Sequence, residues 1–153
     1  MSVLNIVKGC PLFQELYDEE IMTICEKCSV ITLKPDDYIF RSGDHGDEIF
    51  LILAGSAYVQ KDGHKVATLR KGDLFGEMVL LKENIRYADV ISDNYTDILV
   101  VRYHEIFSLY KTNPKIFSLL ILNLSRLLAT RLKGAGQMIE KLIIEKEESK
   151  NAA

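Results

Sequence analysis

The stretch Phe75 to Val90, FGEMVLLKENIRYADV, places a carboxylate, Glu77, directly behind Gly76, and its single guanidinium, Arg86, nine positions further on. A glycine at a strand end followed by a short helical turn aims several backbone amides at one point, because the first amides of a helix have no internal partner. Arg86 adds a planar fork of donors suited to a phosphate. A carboxylate beside a bound phosphate is repelled unless it has its own task, and accepting a hydrogen bond from a sugar hydroxyl is the natural one for Glu77. Donors for an anion next to an acceptor for a hydroxyl describe a small sugar phosphate. Its body has to lie on an apolar face supplied by the surrounding elements.

Those elements are short strands in the middle of the chain. Ser29 to Leu33, Tyr38-Ile39-Phe40, Glu48 to Leu53, Ala57 to Gln60, Lys65 to Leu69, Ala88 to Ile91 and Asp97 to Val101 are rich in β-branched and aromatic residues. Turn residues separate them at Pro35-Asp36-Asp37, Gly43 to Gly46, Gly55, Asp62-Gly63 and Gly72-Asp73. Asp62-Gly63 between two alternating runs is a hairpin signal. Turns at this spacing predict an antiparallel β-roll rather than a parallel sheet with crossover helices. Helical periodicity flanks the roll. Asp18-Glu19-Glu20 opens a helix running to about Cys28, Tyr103 to Tyr110 forms a second, and Asn113-Pro114 starts a long third. In the last, Ile121, Ser125, Leu128, Leu132, Ala135, Ile139 and Leu142 step in fours and threes as a heptad seam. Leu120, Leu124 and Leu127 make a second stripe, so one face lies on the roll and the other meets a second copy, with a single wide intrachain stripe as the alternative. Gly134 and Gly136 each cost about 1 kcal/mol in a helix interior relative to alanine, which marks a kink, hinge or close crossing.

With 153 residues, 48% hydrophobic and 27% charged, the chain has material for one buried core. A formal net charge of −3 gives no basic surface for nucleic acid or an anionic membrane. The first residues lack the pattern of a secretion signal, and the apolar run Ile116 to Leu128 is broken by Asn123, Ser125 and Arg126. A cytoplasmic protein without a membrane span is expected. Cys25 and Cys28 form a C-x-x-C, read either as a redox or metal pair or as the inward stripe of a helix with Ile21 and Ile24. The second reading is preferred, because a closed metal site needs two further ligands. His45, His64 and His104 have no ligand partners at metal spacing, and no metal or cofactor is expected. No nucleophile, acid and base set is evident, so no enzymatic activity is expected.

FGEMVLLKENIRYADV closely resembles the phosphate-binding cassette of the cyclic nucleotide-binding domain family, the β-roll of catabolite activator proteins, protein kinase A regulatory subunits and cyclic-nucleotide-gated channels. Phe75, Gly76, Glu77, Leu80, Arg86, Ala88 and Val90 match its pattern. The likeness continues upstream in Gly43 to Asp47, Ile49 to Gly55 and Lys71 to Phe75, and runs from about Leu12 to about Leu132. The resemblance implies that Glu77 holds a ribose 2′-hydroxyl, Arg86 the cyclic phosphate, and the amides of Gly76, Glu77, Met78 and Val79 the remaining phosphate oxygens, with Phe75, Tyr87 and Ala88 completing the ligand-binding set. Val79 and Tyr87 depart from the pattern. A branched Val79 is expected to crowd the amide cradle, and the absence of threonine after Arg86 favours cyclic AMP over cyclic GMP. Asp89 is the carboxylate considered as an internal partner for Arg86.

The resulting expectation is an α+β domain. An antiparallel, jelly-roll-like β-roll with N-terminal helices fills residues 1–111, a C-terminal lid and dimerisation helix covers 112–144, and a frayed tail takes 145–153. Its function is that of a non-catalytic cyclic nucleotide sensor that forms a homodimer and moves its C-terminal helix on binding. The alternatives are the same fold sensing redox state or another small ligand, and a dimerisation module with a vestigial pocket. Only about twenty residues follow Leu132, too few and too little basic for a helix-turn-helix domain, so DNA binding by this chain is not expected.

Overall fold

The computed structural model describes residues 2–152. Eight strands, β1 (Ser29–Leu33), β2 (Tyr38–Phe40), β3 (Glu48–Ala54), β4 (Ser56–Lys61), β5 (His64–Arg70), β6 (Leu74–Phe75), β7 (Asp89–Ser92) and β8 (Thr96–Arg102), form two four-stranded sheets. Their orders are β1-β8-β3-β6 and β2-β7-β4-β5, and every pairing is antiparallel. The Asp62-Gly63 turn joins β4 to β5 with Lys61 opposite His64, as the hairpin signal predicts.

Two cores follow from the alternation of β3. Phe50 and Ile52 point between the sheets, where they meet Ala57, Leu69, Phe75, Val90 and Ile98. Ile49, Leu51 and Leu53 point the other way, into a larger core shared with the helices. A strand buried on both faces needs no polar side, and for that reason its sequence is an unbroken apolar run.

Four helices cover that second face: α1 (Val3–Lys8), α2 (Asp18–Cys25), α3 (Tyr103–Thr112) and α4 (Pro114–Asn151). The Asn113 side chain caps α4 by accepting from the Ile116 amide, and Pro114 sits where a missing N–H costs nothing. Ile116, Leu120 and Leu124 carry α4 onto the core. Asn123, 1% exposed, donates to Leu12 O at 2.9 Å and Gln14 O at 2.8 Å, which ties the N-terminal segment to α4.

The helical and strand patterns differ from expectation in a few places. Neither α1 nor the two-residue β6 has a periodic signature long enough to read. Helix α2 stops at Cys25, and Cys28 follows in a turn in which its amide donates to Cys25 O at 3.0 Å. No close crossing marks Gly134 or Gly136: α4 is helical without interruption over 38 residues, and nothing outside the helix lies within 4 Å of where a Cβ would stand at either glycine. The residues expected to fray from Glu145 are helical through Asn151. From Leu132 to Ala152 every residue is exposed, among them Met138, Ile139, Leu142 and Ile143. Among the described residues no helix is long and apolar enough to cross a membrane.

Candidate functional site

The cassette begins where β6 ends. Gly76, at φ 85°, turns the chain in the left-handed region, and a Cβ there would press within 3.1 Å of Arg86 Nη1, Glu48 O and the Phe50 ring. A single 3-10 turn follows over Glu77–Leu80. Its first amides, those of Glu77 and Met78, precede any intrahelical acceptor, whereas the Val79 amide donates to Gly76 O at 3.2 Å. The expected cradle therefore loses its fourth member. The Val79 side chain, 4% exposed, packs into the helix-side core and so does not crowd the cradle.

The other sequence-derived residues come together around one cavity of ≈ 450 Å³. Phe75, Gly76, Glu77 and Met78 line one side, Arg86, Tyr87 and Ala88 another, and Phe40, Val59, Ala67, Leu69 and Val90 of the β2-β7-β4-β5 sheet supply an apolar wall. Tyr87 stands at the surface, 63% exposed, with Lys61 Nζ 4.5 Å from its ring centroid and bonded to its carbonyl at 2.8 Å.

Arg86 is 4% exposed. Its guanidinium stacks on aromatic rings, 4.4 Å from the Phe40 centroid and 5.4 Å from that of Phe50. It also packs so tightly on Gly46 that a Cβ there would stand 2.8 Å from Nε and 2.9 Å from Cζ. Nη1 donates to Gly76 O at 3.2 Å, while Nη2 donates to both the carbonyl and the carboxylate of Glu48, each at 3.1 Å. Burial pulls the Arg86 pKa below its ordinary value, and Glu48, Asp47 and Asp44 counter that pull. Asp89 is not the internal partner of Arg86: its carboxylate accepts from the Ser42 amide at 2.7 Å, and Glu48 takes that role.

Glu77 has a partner that sequence reasoning missed. Arg131 of α4 donates to the Glu77 carboxylate and to Leu74 O, and it lines the same cavity. A signal for it was present. Ile116, Leu120, Leu124, Leu127 and Arg131 follow one helical stripe, and a charge on a stripe that faces a core requires a counter-charge there. Glu48 had no comparable signal, since a strand end carrying a glutamate is ordinary.

Cys25 and Cys28 lie apart from this cavity, beside an apolar groove with Val3, Leu4, Met22 and Val30. Burial raises both thiol pKa values, that of Cys28 to about 12, with Cys25 and Glu105 adding to the rise. Among the described residues no three His, Cys, Asp or Glu side chains gather at metal-binding distance.

The comparisons with known proteins agree with this geometry. The chain is 31% identical over 133 residues to glutaminase 1 of Bradyrhizobium diazoefficiens, a match that covers 86% of this chain and 22% of that protein. It is 29% identical over 151 residues to the cyclic AMP receptor protein of Thermus thermophilus, covering 95% of this chain and 68% of the relative. A solved cyclic nucleotide-binding domain from Methylobacillus flagellatus superposes with a TM-score of 0.80 at 27% identity, covering 90% of this chain and 80% of that one. The chain thus spans about a fifth of the glutaminase, and domains of this kind are regulatory rather than catalytic. The sequence profile of the cyclic nucleotide-binding domain matches residues 30–113, which span both sheets and hold Glu77 and Arg86, and the chain belongs to the cyclic nucleotide-binding domain family.

Proposed function

We propose that this chain is a cyclic nucleotide receptor that passes ligand occupancy to its C-terminal helix. The phosphate is met by Arg86 and the amides of Glu77 and Met78, the ribose 2′-hydroxyl by the Glu77 carboxylate, and the purine by the wall of Val59, Ala67 and Leu69. One observation carries the reading: the carboxylate assigned to the ribose is held by Arg131 of α4, in the cavity that Arg86 also lines. A ligand that engages Glu77 changes the environment of Arg131, and coupling follows if α4 held by Arg131 and α4 released from it differ in ligand affinity. Cyclic AMP is preferred to cyclic GMP, because the residue after Arg86 is the bulky, exposed Tyr87 rather than a threonine.

The exposed apolar stripe of α4 beyond Arg131 supports a homodimer. A segment of this length with Leu132, Met138, Ile139 and Leu142 in water gains stability from burial against a second copy. The segment after Leu132 continues as one exposed helix, which supports output through dimerisation or a partner protein. The proposed setting is the cytoplasm. A redox reading is disfavoured by the raised thiol pKa values, which keep Cys25 and Cys28 protonated and weakly nucleophilic near neutral pH.

Isothermal titration of the purified chain with cyclic AMP and cyclic GMP tests the assignment, with Arg86→Ala as control. The expected result is saturable heat with cyclic AMP, weaker binding of cyclic GMP, and loss of both in the variant. Absence of heat with either nucleotide overturns it.

A further inference from the structure

Glu48 belongs to none of the groups that hold the ligand in the reading above, yet it makes the closest charged contact with the buried guanidinium. Its carboxylate lies 3.1 Å from Arg86 Nη2 and is itself fixed by the Asp47 amide, which donates to the same oxygen, Oε2, at 3.2 Å. Its own carbonyl accepts from the same Nη2. One residue at the start of β3 thus fills one corner of the arginine with a full negative charge, and an incoming phosphate meets the guanidinium through its remaining donors. Glu77 is paired with a different cation, Arg131, and so does not compete for Arg86.

We propose that Glu48 is a specificity-determining residue that makes the site select a singly charged phosphodiester and reject a phosphomonoester; this rests on the cyclic nucleotide reading. A cyclic phosphodiester bears one negative charge, whereas a phosphomonoester bears between one and a half and two near neutral pH, roughly. With an anion on one side of the guanidinium and Glu48 on the other, the two negative charges stand about 6 Å apart. At an effective dielectric of about 40, each unit of ligand charge weakens binding about tenfold. The penalty scales with ligand charge, so the ring-opened 5′-monophosphate, with half to one further unit of charge, is disfavoured by a further factor of about three to ten. Burial of Arg86 leaves little water to screen the contact, although Glu48, 34% exposed, is partly screened itself. A receptor built this way ignores the product that remains when a hydrolase opens the cyclic ester.

The test is a comparison of cyclic AMP and 5′-AMP by isothermal titration at pH 7.5, using the full chain, Glu48→Gln and Asp47→Asn. The two ligands share base and ribose, so the ratio of their affinities reports the phosphate site. Glutamine keeps an acceptor for Nη2 and removes the charge. Glu48→Gln is expected to bind both ligands more tightly and to lower the preference for the cyclic ester by a factor of about three to ten. Asp47→Asn removes a like charge from a side chain 53% exposed and directed at His104, and is expected to change the preference less than about twofold. An unchanged preference in Glu48→Gln, with its thermal midpoint within a few degrees of the parent, overturns the proposal. Equal effects from the two substitutions overturn it as well, since they assign selectivity to the general field. If Glu48→Gln fails to fold, Glu48→Asp, which shortens the reach to Nη2 while keeping the charge, must retain the preference. A parent chain that binds 5′-AMP and cyclic AMP equally refutes the role of Glu48 alone, whereas one that binds neither refutes the cyclic nucleotide reading and this proposal with it.

Discussion

Replacing Arg131 with alanine separates the fastening of α4 from the formation of the roll. The Arg131 side chain is 35% exposed and the Glu77 side chain 16% exposed, and Arg131 also satisfies Leu74 O. Removing it leaves a mostly buried carboxylate and a carbonyl without their donor. A fully buried pair broken in this way costs roughly 3–5 kcal/mol, and partial solvent access at Arg131 reduces the figure to about 1–2 kcal/mol. For a domain of this size that corresponds to a fall in melting temperature of about 3–6 °C. Helix α4 stays docked, because Ile116, Leu120 and Leu124 are buried independently of Arg131. Hydrogen exchange followed by mass spectrometry reads the consequence. In the parent chain cyclic AMP alters protection of α4 around Leu127 to Leu132, and in Arg131→Ala the same concentration, relative to its dissociation constant, leaves that segment unchanged. A double-mutant cycle with Glu77→Gln is expected to give a coupling energy of about 1–2 kcal/mol. A ligand response of α4 that persists at full amplitude in Arg131→Ala refutes the reasoning, as does a coupling energy near zero.

Gly46→Ala brings a methyl group against Nε and Cζ of Arg86 and displaces the guanidinium; cyclic AMP affinity is expected to fall at least about tenfold by titration, with little change in the circular dichroism spectrum. Asn123→Ala strips Leu12 O and Gln14 O of their shared donor, and urea denaturation should show a loss of about 2–3 kcal/mol. The raised thiols give a pH dependence of known sign. In the unfolded chain Cys25 and Cys28 ionise near pH 9 while the folded chain keeps them protonated, so the folded state binds more protons, and stability contributed by these groups falls as pH rises from about 9 toward 12. Comparing urea midpoints of the parent and Cys28→Ala at pH 7.5 and 10 checks this, the variant showing the shallower decline; near pH 8 alkylation of both thiols by iodoacetamide should be slower than that of a free cysteine.

The antiparallel roll was legible before any coordinates because strand, turn and hairpin signals are local. Val30 to Leu33, Ile49 to Leu53 and the Asp62-Gly63 turn each carry their conformation in a few adjacent residues. Local sequence also marked Glu77 and Arg86, since the cassette that holds them is one continuous stretch whose glycine and charges state its chemistry directly. Partners of those charges were another matter. Glu48 reaches Arg86 from β3, and Arg131 reaches Glu77 from α4. Nothing in a single sequence distinguishes these two from the other charged side chains, apart from the helical stripe on which Arg131 falls. Asp89, nearer in sequence to Arg86, proved to serve the Ser42 amide instead. Likewise, Val79 looked like an obstruction in the cradle by position alone, while the direction of its side chain is set by packing against the helix-side core. Residue types and spacing within that one stretch supplied the expectation of a sugar phosphate ligand. The pairing of each charge depended on which distant elements the two cores bring together, because an ion pair is selected by distance through space and the chain order does not encode that distance.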